Sequence, residues 1–222
     1  MAAQTIEMIF LFFPVLISSF FIFPVDLRTI RLDRNPALTY TVIMIYFDMD
    51  GVLARYDING YLGETPPFKQ TGSHYFAGLE ADSVAMEMFK TLYKEIPGSV
   101  MVLTSVSIER EIRTEQTMDK ILWLLKQFPD FDFGAHFLST STEKRNIISN
   151  IRGMSLNKKD ILIDDWNANL YAWTANGGTA IKYLNGINSE QSWPGTVLYS
   201  NEGAGSCLNH FRTLWYSLNS SF

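Results

Sequence analysis

The sequence has a single cysteine, Cys207, in 222 residues. That excludes an internal disulfide and a cysteine-based zinc site, and it agrees with a reducing compartment. Basic charge is also scarce: 18 Lys and Arg stand against 23 Asp and Glu, a net charge of −5. Such a balance gives no electrostatic case for polymeric nucleic acid as a partner, and a short run such as Lys158-Lys159 reads as solvated surface. There is no internal repeat and no low-complexity linker. The length suits one domain with a small insert, and a 47% hydrophobic content is enough for a sizeable core.

The longest charge-free run, Met8 to Val25, has no charge over 18 residues, but Pro14, Ser18, Ser19 and Pro24 interrupt it. It lies near the lower length limit for a membrane helix. Residues 1–40 are therefore set apart from residues 41–222 as an apolar extension. Three readings stay open: a membrane anchor, an extension outside the working protein, and a secretory signal. The signal is the weakest, since no Lys or Arg precedes the run and no small-x-small site follows it. For an anchor, Arg28, Arg31 and Arg34 follow the run and only Glu7 precedes it, which would keep residues 41–222 cytoplasmic. For the second reading, Met44 offers an alternative start just before the first strand.

After residue 40, strand and helix alternate, which predicts an α/β fold with a doubly wound, mostly parallel, Rossmann-like sheet. Strands are expected at Thr41–Phe47, Ser99–Leu103, near His136–Leu138, at Ile161–Ile163 and at Thr179–Leu184. Helices are expected at Asp82–Ile96, where Val84, Met88, Leu92 and Ile96 recur every four residues, and at Glu109–Phe128. In the second helix Met118, Ile121, Leu122, Leu125 and Phe128 mark the apolar face. Shorter helices fit Glu143–Arg152 and Asn167–Asn176, the latter stopped by Gly177-Gly178. Residues 55–80 show no clean period. Beyond Asn188 the pattern weakens, except for a terminal helix over Cys207–Leu218.

Polar residues cluster just past the apolar strands or at helix starts. Asp48 and Asp50 leave the first strand, and Gly51 lets the chain turn sharply. Alternation along a strand would aim both carboxylates one way, at the sheet edge where open α/β folds hold ligands. Like charges that close need a cation or a shared proton between them. Thr104-Ser105 follows the second strand, Lys144 opens its helix, and Asp164-Asp165 follows the fourth strand. In a doubly wound sheet all of these meet at one edge.

This combination resembles the haloacid dehalogenase-like (HAD) phosphatase superfamily, over roughly residues 41 to 185. More narrowly, it is similar to the 5′(3′)-deoxyribonucleotidase family of bacterial and phage type. The residues concerned are FDMDGVLA at 47–54, HYF at 74–76, VLTS at 102–105, Lys120 before Trp123, and the run from Ile163 to Gly186. The resemblance implies a Mg²⁺-dependent phosphomonoesterase acting on nucleoside monophosphates. Asp48 would be the nucleophile that forms an aspartyl-phosphate, and Asp50 the general acid and base. Mg²⁺ would be held by Asp48, the backbone carbonyl of Asp50 and Asp165, with Asp164 in support. Thr104, Ser105 and Lys144 would hold phosphate oxygens. The superfamily places a cap between the first two motifs, here about residues 55–97 with one clear helix. Its Tyr75 and Phe76, with Tyr56, Tyr61 and Phe68, could stack on a base.

Plainer readings exist for each residue. Asp48 and Asp50 could form a solvated turn. Thr104 could cap a helix, Lys144 could be an exposed helix lysine, and Asp164-Asp165 could cap the helix at 167. His74, Tyr75 and Phe76 could be ordinary loop packing. Lys158 and Lys159 are rivals to Lys144, but they lie too close to Asp164 to leave room for a helix between. Trp166, Trp173 and Trp193 read as core or surface aromatics. At the level of function, the rivals are a phosphatase of the same mechanism for another small metabolite, and a non-catalytic, membrane-tethered protein that keeps only the fold.

Overall fold

The computed structural model describes residues 43–56, 66–187 and 192–220. Six strands among them form one sheet: β1 Met44–Phe47, β2 Val100–Ser105, β3 Phe137–Thr140, β4 Asp160–Asp164, β5 Thr179–Leu184 and β6 Thr196–Tyr199. Their order is β3-β2-β1-β4-β5-β6, and each neighbouring pair is parallel. The helices are α1 Ser83–Glu95, α2 Arg110–Gln127, the one-turn α3 Phe133–His136, α4 Lys144–Arg152, α5 Asn167–Ala175 and α6 Ala204–Ser220. The chain winds outward from β1 to β3, then crosses back to β4. The carboxyl ends of β1 and β4 therefore flank the switch point, where such sheets leave a crevice.

Strand alternation divides the apolar residues between two cores. Ile45 and Phe47 of β1, Val100 and Val102 of β2, and Ile161 and Ile163 of β4 face a layer built by α1, α6 and the end of α2. Their neighbours in sequence, Tyr46, Leu103 and Leu162, face the opposite way, against Ile148 of α4 and Leu170 and Trp173 of α5. With both faces covered, the strands read as continuous apolar runs rather than alternating ones. The second core is tightly closed at Gly178. A Cβ there would lie 2.3 Å from Trp173 Nε1, and that indole donates to the Asp160 carbonyl at 2.9 Å.

The predicted α/β doubly wound architecture is the one observed. Three details differ. Strand β6 lies beyond Asn188, where apolar patterning is weak, and pairs at the sheet edge with β5. The expected apolar face of α2 is rotated: Leu122 is exposed, whereas Ile112, Gln116, Asp119, Lys120, Trp123 and Leu124 are buried. Within the insert after β1, α1 packs on the sheet through Ala85, Met88, Phe89 and Leu92. The described insert residues that precede it form two short 3₁₀ turns, Pro67–Lys69 and Tyr75–Gly78. No helix among the described residues is long and apolar enough to cross a membrane. The run Met8–Val25, on which the anchor reading rests, lies outside the described residues, as does Tyr61.

Asp82 joins the insert to the core. Its carboxylate caps α1 by accepting from the Val84 and Ala85 amides at 3.1 and 3.0 Å. It also accepts from Tyr183 Oη at 2.7 Å. Burial pushes the Tyr183 hydroxyl up, and Asp82 adds to it, so this group stays a donor. Asp82→Ala removes a helix cap and orphans a buried hydroxyl. The expected loss is about 1–3 kcal/mol, read as a lower urea midpoint.

Candidate active site

Backbone geometry builds the centre of the site. β1 ends at Phe47, and residues 49–54 turn back on themselves. The Ala54 amide donates to the Met49 carbonyl and the Gly51 amide to the Ala54 carbonyl, both at 2.8 Å. Gly51 has φ 83°, a left-handed conformation that costs glycine little. Asn185, just past β5, donates to the Gly51 carbonyl at 2.6 Å and so pins the turn to the sheet edge.

The turn separates the two aspartates that strand alternation would aim together. Asp48 is buried and pairs with Lys144 Nζ at 2.7 Å. The same ammonium donates to Asp164 Oδ2 at 2.6 Å. Asp50 instead receives Lys120 Nζ on Oδ2, while its Oδ1 is buried with no hydrogen-bond partner. The two carboxylates remain close enough for Asp50 to contribute to the shift of Asp48.

Asp48, Asp164 and Asp165 are all buried, and one carboxylate oxygen from each lies within 4.8 Å of the others. Burial pushes the Asp48 carboxyl well up from its ordinary value; Lys144 opposes this, and Asp164, Asp50 and Asp165 add to it. Burial also works against the charge of Lys144, yet Asp164 and Asp48 carry its ammonium above its ordinary value. Lys144 thus binds two of the three converging carboxylates, Asp48 and Asp164. The donor set is all oxygen and its charge is in excess, which fits a hard divalent cation such as Mg²⁺. Asp50 offers no side-chain oxygen to this group, so its expected share in holding a metal rests on its backbone carbonyl.

The remaining expected residues are placed as follows. Thr104 is buried and accepts from Lys120 Nζ at 2.8 Å. It is not a helix cap, because the N-cap of α2 is Glu109. Ser105 is exposed, and its carbonyl accepts from Lys120 at 2.7 Å. Lys144 is buried rather than solvated. Asp164 and Asp165 do not cap α5, whose N-cap is Trp166; Asp164 holds the loop by accepting from the Trp166 amide at 2.8 Å and Asn169 Nδ2 at 3.0 Å. Tyr75 and Phe76 belong to an aromatic group with Tyr56 and Phe68. Tyr56 and Phe76 are nearly parallel, at an interplanar angle of 20° and 6.1 Å between centroids.

Two further lysines in the site fall within the stretches that carry the resemblance, but the sequence reading gives them no chemical role. Lys120 is fully buried, binds Asp50, Thr104 and the Ser105 carbonyl, and lies 4.3 Å from the centroid of the Phe76 ring. Lys182 of β5 is buried and donates to the Asp165 carbonyl and to Asn167 Oδ1. Burial pushes its ammonium down from its ordinary value, against the pull of Asp165 and Asp164. Lys182 could be found from the sequence, as a lone charge inside the apolar strand Thr179–Leu184. Lys120 is among the residues that carry the family resemblance, but the apolar pattern of its helix gives no sign that it faces inward.

No protein-family model matches this chain, and no curated protein matches it either. Among solved structures, a HAD-superfamily hydrolase from Ehrlichia chaffeensis is similar at a TM-score of 0.45 and 13% identity, over 78% of this chain and 97% of that one. A likeness of that size bears on neither substrate nor mechanism.

The charge balance of the site leads to a direct test. Lys144→Met leaves Asp48 and Asp164 buried without their cation. The expected loss is about 3–5 kcal/mol in EDTA, measured by urea denaturation, with a smaller loss in millimolar Mg²⁺.

Proposed function

We propose that this protein is a Mg²⁺-dependent phosphomonoesterase of the HAD type that dephosphorylates nucleoside or deoxynucleoside monophosphates. The observation that carries the reading is the division of labour between the two aspartates. Asp48 sits among the acids and Lys144, as a nucleophile beside a metal requires. Asp50 presents a buried, unpartnered Oδ1, as a proton donor to a leaving group requires.

In the first step an Asp48 oxygen attacks phosphorus, the bond from phosphorus to the ester oxygen breaks, and Asp50 gives its proton to the departing alkoxide. In the second, Asp50 takes a proton from water, the hydroxide attacks phosphorus, and the Asp48–phosphorus bond breaks to release inorganic phosphate. Lys120 fixes the rotamer of Asp50 through Oδ2. Thr104 and Lys144, with Ser105, provide donors for the phosphoryl oxygens, in a site from which water is largely excluded. Asp48, Asp165 and the Asp50 carbonyl would hold Mg²⁺, with Asp164 beside them. When bound, the ion supplies charge that offsets the repulsion between Asp48 and the phosphate dianion.

A base-bearing substrate is supported by the half-buried rings of Tyr56, Phe68 and Tyr75, which pack around the buried Phe76 at 5.3–6.1 Å between centroids. An aromatic wall accepts any base by stacking. It therefore favours nucleotides over sugar phosphates without ranking the four bases.

Phosphate release from a panel of nucleoside monophosphates and sugar phosphates tests this, in Mg²⁺ and in EDTA. Mg²⁺-dependent release that favours the nucleotides is expected. Release from sugar phosphates alone would keep the mechanism and remove the nucleotide reading. Asp50→Asn should lower kcat by about 10²–10⁴-fold, and Asp48→Asn should abolish turnover while the fold is kept. Full activity of Asp48→Asn would overturn the mechanism.

A further inference from the structure

Helix α2 buries polar side chains where an amphipathic helix would bury apolar ones. Gln116 and Asp119 are inside along with Lys120, although charged groups are rarely buried without a task. Gln116 and Asp119, with Glu115 and Trp123 of the same helix, reach one short stretch of the insert. Gln116 Nε2 donates to the Phe68 carbonyl at 2.6 Å, and its Oε1 accepts from the Ser107 amide at 2.7 Å. Glu115 accepts from the amides of Gly72 and His74. The imidazole of His74 meets Asp119 with Nδ1 and Oδ1 2.9 Å apart. Trp123 Nε1 donates to the Leu79 carbonyl at 2.7 Å. One helix face thus grips the insert from Phe68 to Leu79, the stretch that carries Tyr75 and Phe76.

His74 is the point of greatest constraint. Among the described residues it alone has a positive φ without being glycine, at φ 47°. A residue holds that conformation when its surroundings over-determine it. Here the amide is held by Glu115 and the ring by Asp119, one turn apart on α2 at positions i and i+4. Directly after it, the turn Tyr75–Gly78 places Phe76 against Lys120. The ligand atoms of His74, Glu115 and Asp119 lie within 4.8 Å of one another. The carboxylates are already engaged by two amides and the imidazole, so the group reads as a clamp rather than as a metal site. The acidic groups facing His74 are Asp119 and Glu115, and the hydrogen bond to Asp119 holds the imidazole above its ordinary pKa.

We infer that the clamp of His74 by Asp119 and Glu115 sets substrate selection at the active site, by fixing the turn in which buried Phe76 packs on Lys120 and half-buried Tyr75 is presented to the substrate's base. Residues that never touch the substrate then decide how well a nucleotide is preferred over a phosphate ester that has no base. Asp119 and His74 are positioning residues in this scheme. The inference rests on the proposed phosphomonoesterase reading, and the test separates the two.

The test uses the full chain and three variants: Asp119→Asn, His74→Asn and the double substitution. Asn keeps the size of Asp119, and at position 74 it tolerates a positive φ. Steady-state kinetics are run on a deoxynucleoside monophosphate and on glycerol 3-phosphate, a phosphate monoester that lacks a base. Each single variant should raise KM for the nucleotide about tenfold, the scale of removing one base–aromatic stack, with kcat/KM for glycerol 3-phosphate unchanged. The double variant should be no worse than either single one, the mark of residues acting as a pair. Proton NMR should show His74 titrating above the ordinary histidine range in the unaltered protein and returning towards it in Asp119→Asn. An unchanged ratio of the two kcat/KM values, or an equal fall for both substrates, would overturn the inference. If the unaltered protein hydrolyses neither substrate, the phosphomonoesterase reading fails first, and this inference falls with it.

Discussion

The candidate active site depends on one buried ammonium that bridges two strand ends. Lys144, at the first turn of α4, reaches Asp48 beyond β1 and Asp164 at the end of β4, and so ties together the two strands that flank the switch point. Burying three charges is costly, because attraction in a low-dielectric interior only partly offsets the lost hydration. A hydrophobic pair would hold the two strands at lower cost. The arrangement is therefore better explained by chemistry than by stability. Asp165 adds a further carboxylate to the group, and the excess of negative charge gives the site its appetite for a cation.

Two of the three lysines in the site divide the charge between separate tasks. Lys144 sits on the side of Asp48 and the acidic loop. Lys120 sits on the side of Asp50 and Thr104. Between them they keep two adjacent aspartates in different surroundings, the usual condition for carboxylates to take different roles in one reaction. The turn at Gly51 makes this division possible, because a continued strand would send both side chains the same way. Lys120 also lies against the Phe76 ring, so the Asp50–Thr104 side of the site and the aromatic group of the insert share one residue.

Helix α2 shows how an apolar pattern can mislead. Met118, Ile121 and Leu122 give a plausible stripe, yet Leu122 faces solvent while Gln116, Asp119 and Lys120 lie inside. Hydrophobic periodicity finds the buried face only when that face packs against other apolar groups. Part of what α2 packs against is backbone of the insert and the polar edge of the sheet, and those need donors and acceptors. In the second core, Leu162 lies in the apolar run Ile161–Ile163 that marks a strand, whereas the choice of core over surface for Trp173 is made by its packing with Leu162 and Leu170 and its bond to the Asp160 backbone.

Taken alone, the sequence determined the parallel α/β class, the succession of its main strands and helices, and the edge on which Asp48, Asp50, Thr104, Lys144 and Asp164-Asp165 would gather. These follow from local periodicity, glycine turns and the rule that parallel strands return in one sense, all properties of neighbouring residues. The tertiary structure decided the rest: the paths by which Asp48 and Asp50 part, the burial of Lys120 and Lys182, the sixth strand, and the grip of α2 on the insert. Each of these is set by residues far apart in the chain. Lys120 and Asp50, for instance, are separated by 70 positions, and no local pattern carries that pairing. A lysine in a helix has the same propensity whether it faces water or a carboxylate. Only the packed fold chooses between them.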